Sequence, residues 1–108
     1  MAATYKVLGQ SNPSATTLTT LYTVPAATEA VASTMTICNL GAATTVRVAV
    51  RPAGAAIANQ QYIVYDNFIN NNDTMFLTLG IALSTTDVVS VYAGTANVAF
   101  NLFGSEIA

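Results

Sequence analysis

Apolar residues recur at every second position in short runs along this chain, and Gly, Pro, Asn or Ala-Thr clusters separate one run from the next. Period two belongs to a pleated strand, whose successive side chains point to opposite faces. No stretch shows the three-and-four spacing of an amphipathic helix. The runs predict eight strands, over residues 5–8, 20–24, 31–39, 44–51, 61–66, 74–79, 87–93 and 97–104. In the fourth, Val46, Val48 and Val50 face one way while Arg47, Ala49 and Arg51 face the other. One of these faces is core, and the other is wet or an interface.

Turn chemistry falls at Asn12-Pro13-Ser14, Pro25-Ala26, Leu40-Gly41, Pro52-Ala53-Gly54, Asn70-Asn71-Asn72-Asp73, Leu79-Gly80 and Ala93-Gly94. Eight strands at roughly ten-residue spacing, with no helix between them, predict an all-β fold. The expected architecture is a single-domain antiparallel β-sandwich of jelly-roll type, with an open barrel as second choice. Residues 1–10 are expected as an N-terminal arm or first strand, and 11–108 as the sandwich. Threonines within the runs, such as Thr34, Thr36, Thr44 and Thr78, occupy outward positions that Lys and Glu usually fill.

Charge sharpens this picture. Only 7% of the 108 residues are charged and 53% are hydrophobic, whereas ordinary domains carry about 25% charged residues. The net charge is −2, with Lys6, Arg47 and Arg51 as the only cations. Three cations are too few to neutralise a run of phosphates, so nucleic acid is not an expected partner. His and Trp are absent, which removes the commonest general base and metal ligand. The single Cys38 has no partner for an intrachain disulfide and no basic neighbour to activate it, so it reads as a small strand residue. Neither a secretory leader nor an apolar run of about 18 residues is apparent, so neither secretion nor a membrane is expected. Asn72-Asp73-Thr74 has the form of a glycosylation sequon but reads as turn chemistry.

Low charge also leaves strand edges unguarded. Segments 42–50 and 88–98 combine β-propensity with few charges, and as open edges they would invite pairing. A homo-oligomer covers such edges; the alternative is a monomer solvated by Thr, Asn, Gln and Ser. At the N-terminus, Tyr5, Lys6, Val7 and Leu8 follow a small-residue leader and form a candidate arm that adds as a strand to a partner's sheet.

Other constellations carry less. Asp66 and Asp73 flank the loop Asn67-Phe68-Ile69-Asn70-Asn71-Asn72, as a carboxylate pair or a cation site would require, but their spacing is not that of a calcium loop. No catalytic, cofactor or metal residues are assigned. Arg47 and Arg51 form a cationic stripe about 13 Å long on one strand face, suited to a partner's carboxylates or to pairing within the chain. Tyr5, Tyr22, Tyr62, Tyr65 and Tyr92 offer a candidate aromatic platform. Tyr62 and Tyr65 have opposite parities and cannot share a face of a regular strand.

The segments Tyr5-Lys6-Val7-Leu8-Gly9-Gln10, Leu21-Tyr22-Thr23-Val24-Pro25 and Arg47-Val48-Ala49-Val50-Arg51-Pro52-Ala53-Gly54, with residues 65–74, 77–93 and 98–107, resemble small virion structural proteins of tailed bacteriophages, in particular those infecting cyanobacteria. The resemblance extends over nearly the whole chain and contains no catalytic motif. It implies a β-sandwich of capsid cement or decoration type that binds the major capsid protein on the shell exterior as a homotrimer, made in the host cytoplasm and resident on the virion. A neck, tail or baseplate subunit, or a virion-attached carbohydrate-binding module, are the alternatives it leaves.

Overall fold

The structure is a computed structural model and describes residues 3–108. Met1 and Ala2, the start of the expected arm, lie outside the described residues. Eight strands run in chain order: β1 Ala3–Ser11, β2 Thr19–Thr23, β3 Glu29–Asn39, β4 Thr44–Arg51, β5 Tyr62–Ile69, β6 Thr74–Leu83, β7 Val88–Ala93 and β8 Val98–Ile107. Two single 3-10 turns, Pro52–Gly54 and Asn59–Gln61, lie between β4 and β5.

The strands form two four-stranded sheets, ordered β1-β8-β3-β6 and β2-β7-β4-β5. Pairing is antiparallel throughout, and the pairs β1·β8, β2·β7, β3·β6 and β4·β5 are those of one long hairpin. Wound on itself, with β3·β8 and β4·β7 as the added pairings, that hairpin is a jelly roll. The inward side chains alternate along each strand as period two requires. Met35 and Ile37 of β3 and Phe100 and Leu102 of β8 meet Val46 and Val48 of β4 and Val89 and Val91 of β7 in a fully enclosed core.

The first sheet carries irregularities at one level. In β1, Leu8 is an extra residue between the pairs Val7↔Phe103 and Gly9↔Leu102. In β3, Ser33 is extra against β8, between Ala32↔Gly104 and Thr34↔Phe103. In β6, Leu79 and Gly80 both lie across from Ser33. Each extra residue reverses strand parity, so Ala30 and Ala32 point inward before the bulge in β3, and Met35, Ile37 and Asn39 after it.

Two expectations are corrected here. Leu79-Gly80 is not a turn, because the positive φ of Gly80 (+77°) is absorbed as a bulge and β6 continues to Leu83. Segments 42–50 and 88–98 are not open edges either. β4 lies between β7 and β5, and β7 between β2 and β4, so the chain covers both itself. The open edges are β1, β6, β2 and β5.

Candidate interaction surfaces

Residues 3–11 are a committed strand rather than a free arm, paired with β8 from Ala3↔Ile107 to Ser11↔Phe100. Side chains alternate along it up to the bulge. Tyr5 and Val7 point outward, in register with Ser105 and Phe103 of β8, and Val31 of β3 lies opposite Ser105. Together with Ser33 and Gly104 they line a shallow concavity of about 600 Å³ on the outer face of the first sheet. Tyr5 is 85% exposed, Val7 45% and Val31 38%. Leu8, of opposite parity to Tyr5 and Val7, turns into the core and is buried.

Lys6 stands at the rim. Its Nζ lies 3.1 Å from Glu106 Oε1, and the buried Tyr22 of the second sheet donates its Oη to Glu106 Oε2 at 2.5 Å. The Tyr22 donor, followed by Lys6, holds the Glu106 carboxyl below the usual range. Burial, followed by the bond to Glu106, pushes the Tyr22 phenol up. Because the folded value of Glu106 is depressed, its stabilisation is present above the ordinary value of about 4.5 and lost as pH falls through the folded value. Tyr22→Phe is expected to cost about 1–2 kcal/mol at neutral pH and less in acid. Urea melts of the two proteins at neutral and acid pH check this, and a difference that does not shrink in acid contradicts it.

The second sheet carries a different arrangement on its outer face. Two bulges interrupt β5, one placing Tyr65 and Asp66 across from Arg47 and one at Ile63. Asp66 takes a left-handed φ of +51°, which Asp tolerates better than most residues. Arg47 Nε donates to Asp66 Oδ1 at 2.6 Å and Nη2 to Oδ2 at 3.3 Å. The guanidinium carbon also lies 4.4 Å from the ring centroids of both Tyr65 and Tyr92. The bond to Asp66 raises the Arg47 pKa further above its ordinary value. Tyr62 and Tyr65, which a regular strand would separate, touch edge to face with centroids 4.9 Å apart. Phe68, opposite Thr45 and 63% exposed, extends the row along β5.

Arg51 is also engaged within the chain. It donates from Nε to Ala55 O (2.7 Å), from Nη2 to Gly54 O (3.1 Å) and from Nη1 to Ser90 Oγ (3.3 Å), closing the turn after β4. Both guanidiniums of the expected stripe therefore have partners inside the molecule. The two candidate carboxylates part company: Asp66 binds Arg47, and Asp73 accepts the backbone N–H of Thr74 at 2.9 Å in the turn before β6. Asn67, Phe68 and Ile69, expected between them as loop, belong to β5. Cys38 is half-buried, opposite Ala99 and Thr74.

The aromatic row on β5 is what sequence reasoning missed, and the only local signal for it was an Asp able to sit at φ above zero between Tyr65 and Phe68. No family model, curated protein or solved structure matches this chain.

Proposed function

We propose that this chain is a virion structural protein of the capsid cement type, docking on the outside of a protein shell and bridging neighbouring subunits of the major capsid protein. The observation that carries this reading is the apolar concavity of Tyr5, Val7, Val31 and Phe103 on an outer sheet face. Exposed apolar surface gathered in one place marks an interaction site. Among the described residues the only charge lining it is Lys6, already paired with Glu106, so docking need not strand an unpaired ion. Stabilisation of the shell follows from mass action, with no bond made or broken: a protein that binds only the assembled lattice shifts the equilibrium toward it.

The double variant Tyr5→Ser/Val31→Ser tests the face. Both side chains are exposed, so its melting curve is expected to match wild type while occupancy on particles falls at least about tenfold, as removal of central apolar contacts does. Unchanged occupancy overturns the reading. A neck, tail or baseplate subunit would use the same face at lower copy number. Carbohydrate binding is the second reading, favoured by the row Tyr62, Tyr65 and Phe68 beside a concavity of about 420 Å³ at Asn59, since aromatic rings with a few polar neighbours suit small ligands. Silence on a glycan array removes it.

A further inference from the structure

The four open edges differ in how they are defended. β1 carries Lys6 and a bulge, β2 is five residues long, and β5 carries Asp66 and two bulges. β6 is ten residues long and contains no charged residue. An uncharged edge of that length is a template for another strand.

The core beneath β6 is also incompletely covered. Met75, Leu77, Leu79 and Ile81 are only partly buried, although they pack against the core cluster. Apart from Val50, every half-covered hydrophobic packed on that cluster among the described residues lies on this strand.

Backbone direction can be read from the start of the pairing. Asn39 N donates to Asp73 O at 2.8 Å, toward β6, and Leu40 N turns the other way, to Asn97 O at 2.7 Å. Antiparallel pairs alternate between bonded and non-bonded. Along the register Cys38↔Thr74, Ile37↔Met75, Thr36↔Phe76, Met35↔Leu77 and Thr34↔Thr78, alternation sends the backbone groups of Met75 and Leu77 to β3. Those of Thr74, Phe76 and Thr78 point to the open edge, where the Phe76 side chain is 74% exposed.

The segment Thr74-Met75-Phe76-Leu77-Thr78 has nearly the same chemistry read from either end. We propose that β6 is a self-association strand, pairing antiparallel with β6 of a second copy about a two-fold axis through Phe76. Phe76 then lies opposite its own counterpart and Thr74 opposite the counterpart of Thr78, each pair exchanging both of its backbone hydrogen bonds. Aromatic and threonine cross-strand pairs are favourable, and an isologous contact requires this kind of self-complementarity. Met75 and Leu77 meet their counterparts on the inner side and complete the cover of the core. The bulge at Leu79-Gly80 ends the straight stretch and pins the register. Two four-stranded sheets become one sheet of eight, and the order of assembly is two rather than the three that the phage resemblance implies. The inference does not depend on shell docking, because the Tyr5–Val31 concavity spans β1, β8 and β3, away from this edge.

Light scattering on the eluting protein at micromolar concentration tests it. Wild type is expected at dimer mass, and Phe76→Lys, which sets like charges opposite each other, is expected to weaken association at least about tenfold with an unchanged circular dichroism spectrum. A second variant, Phe76→Cys in a Cys38→Ser background, is expected to oxidise to a covalent dimer, since a bonded antiparallel pair holds its Cα atoms about 5.5 Å apart, within disulfide range. A wild-type monomer, a trimer, or a dimer indifferent to Phe76→Lys overturns the proposal.

Discussion

Replacing Asn39 by aspartate is expected to remove on the order of 3–5 kcal/mol of stability at neutral pH, a large share of the roughly 5–15 kcal/mol such a domain has. Asn39 ends β3 with its side chain fully buried. Its Nδ2 donates to the carbonyls of Ala42 (3.0 Å), Ile69 (3.3 Å) and Asn70 (3.0 Å), and its Oδ1 accepts from Gly41 N (3.1 Å). One amide thus ties the β3–β4 turn to the β5–β6 turn, joining the two sheets at that end. Aspartate has the same shape but no donor when ionised, so it places a buried charge against three carbonyl oxygens. Burial pushes such a carboxyl up. With its folded value above the unfolded one, the variant keeps most stability below the ordinary carboxylate range of about 4 and loses it as pH rises through the folded value. Urea melts at mildly acid and neutral pH check both the size and the sign, and a variant as stable as wild type at neutral pH contradicts the role given to Asn39.

Gly104→Ala is the second large effect. A Cβ at Gly104 would overlap the carbonyl oxygen of Val31 and come within 3.0 Å of Ala32 Cα. Both obstacles are backbone, so no side chain can swing aside. β3 and β8 must separate at the bulge, costing about 3 kcal/mol or more. Gly80→Ala is the contrast: nothing lies within 4 Å of its Cβ, and only the positive φ opposes it, at about 1 kcal/mol. Amide exchange should show protection lost in Gly104→Ala around Val31 and Ser105 and kept in β4 and β7. Equal melting points for the two variants would contradict the close approach of the strands.

The alternation that located all eight strands reports which face a side chain takes, and nothing about which strand lies beside it. That is why 44–51 and 88–93 were legible as strands while their central places in the second sheet were not. Alternation also fails wherever a bulge reverses parity. Lys6 and Leu8 share the inner face of β1 as alternation has it, but the bulge keeps Gly9 on that face as well, opposite Leu102 and against the Leu21 carbonyl. Tyr62 and Tyr65 read as opposed, yet the bulge at Ile63, which lies between them, brings them into contact. Arg47 and Arg51 were placed together on one outer face by periodicity alone, and their face is as expected. Their partners, Asp66 from a bulged neighbour and the carbonyls of Gly54 and Ala55 from a 3-10 turn and its end, depend on φ values that no periodicity encodes. Low charge drew attention to 42–50 and 88–98, whereas the long uncharged strand at an open edge is β6, and that needed the sheet order.

The proposal of a shell-binding protein stands most directly on how many copies a particle carries. Quantitative mass spectrometry of purified particles, counting this chain against the major capsid protein, is expected to give on the order of hundreds of copies, commensurate with the symmetry of the shell. A handful to a few dozen copies would contradict a cement role and place the protein at the neck, tail or baseplate.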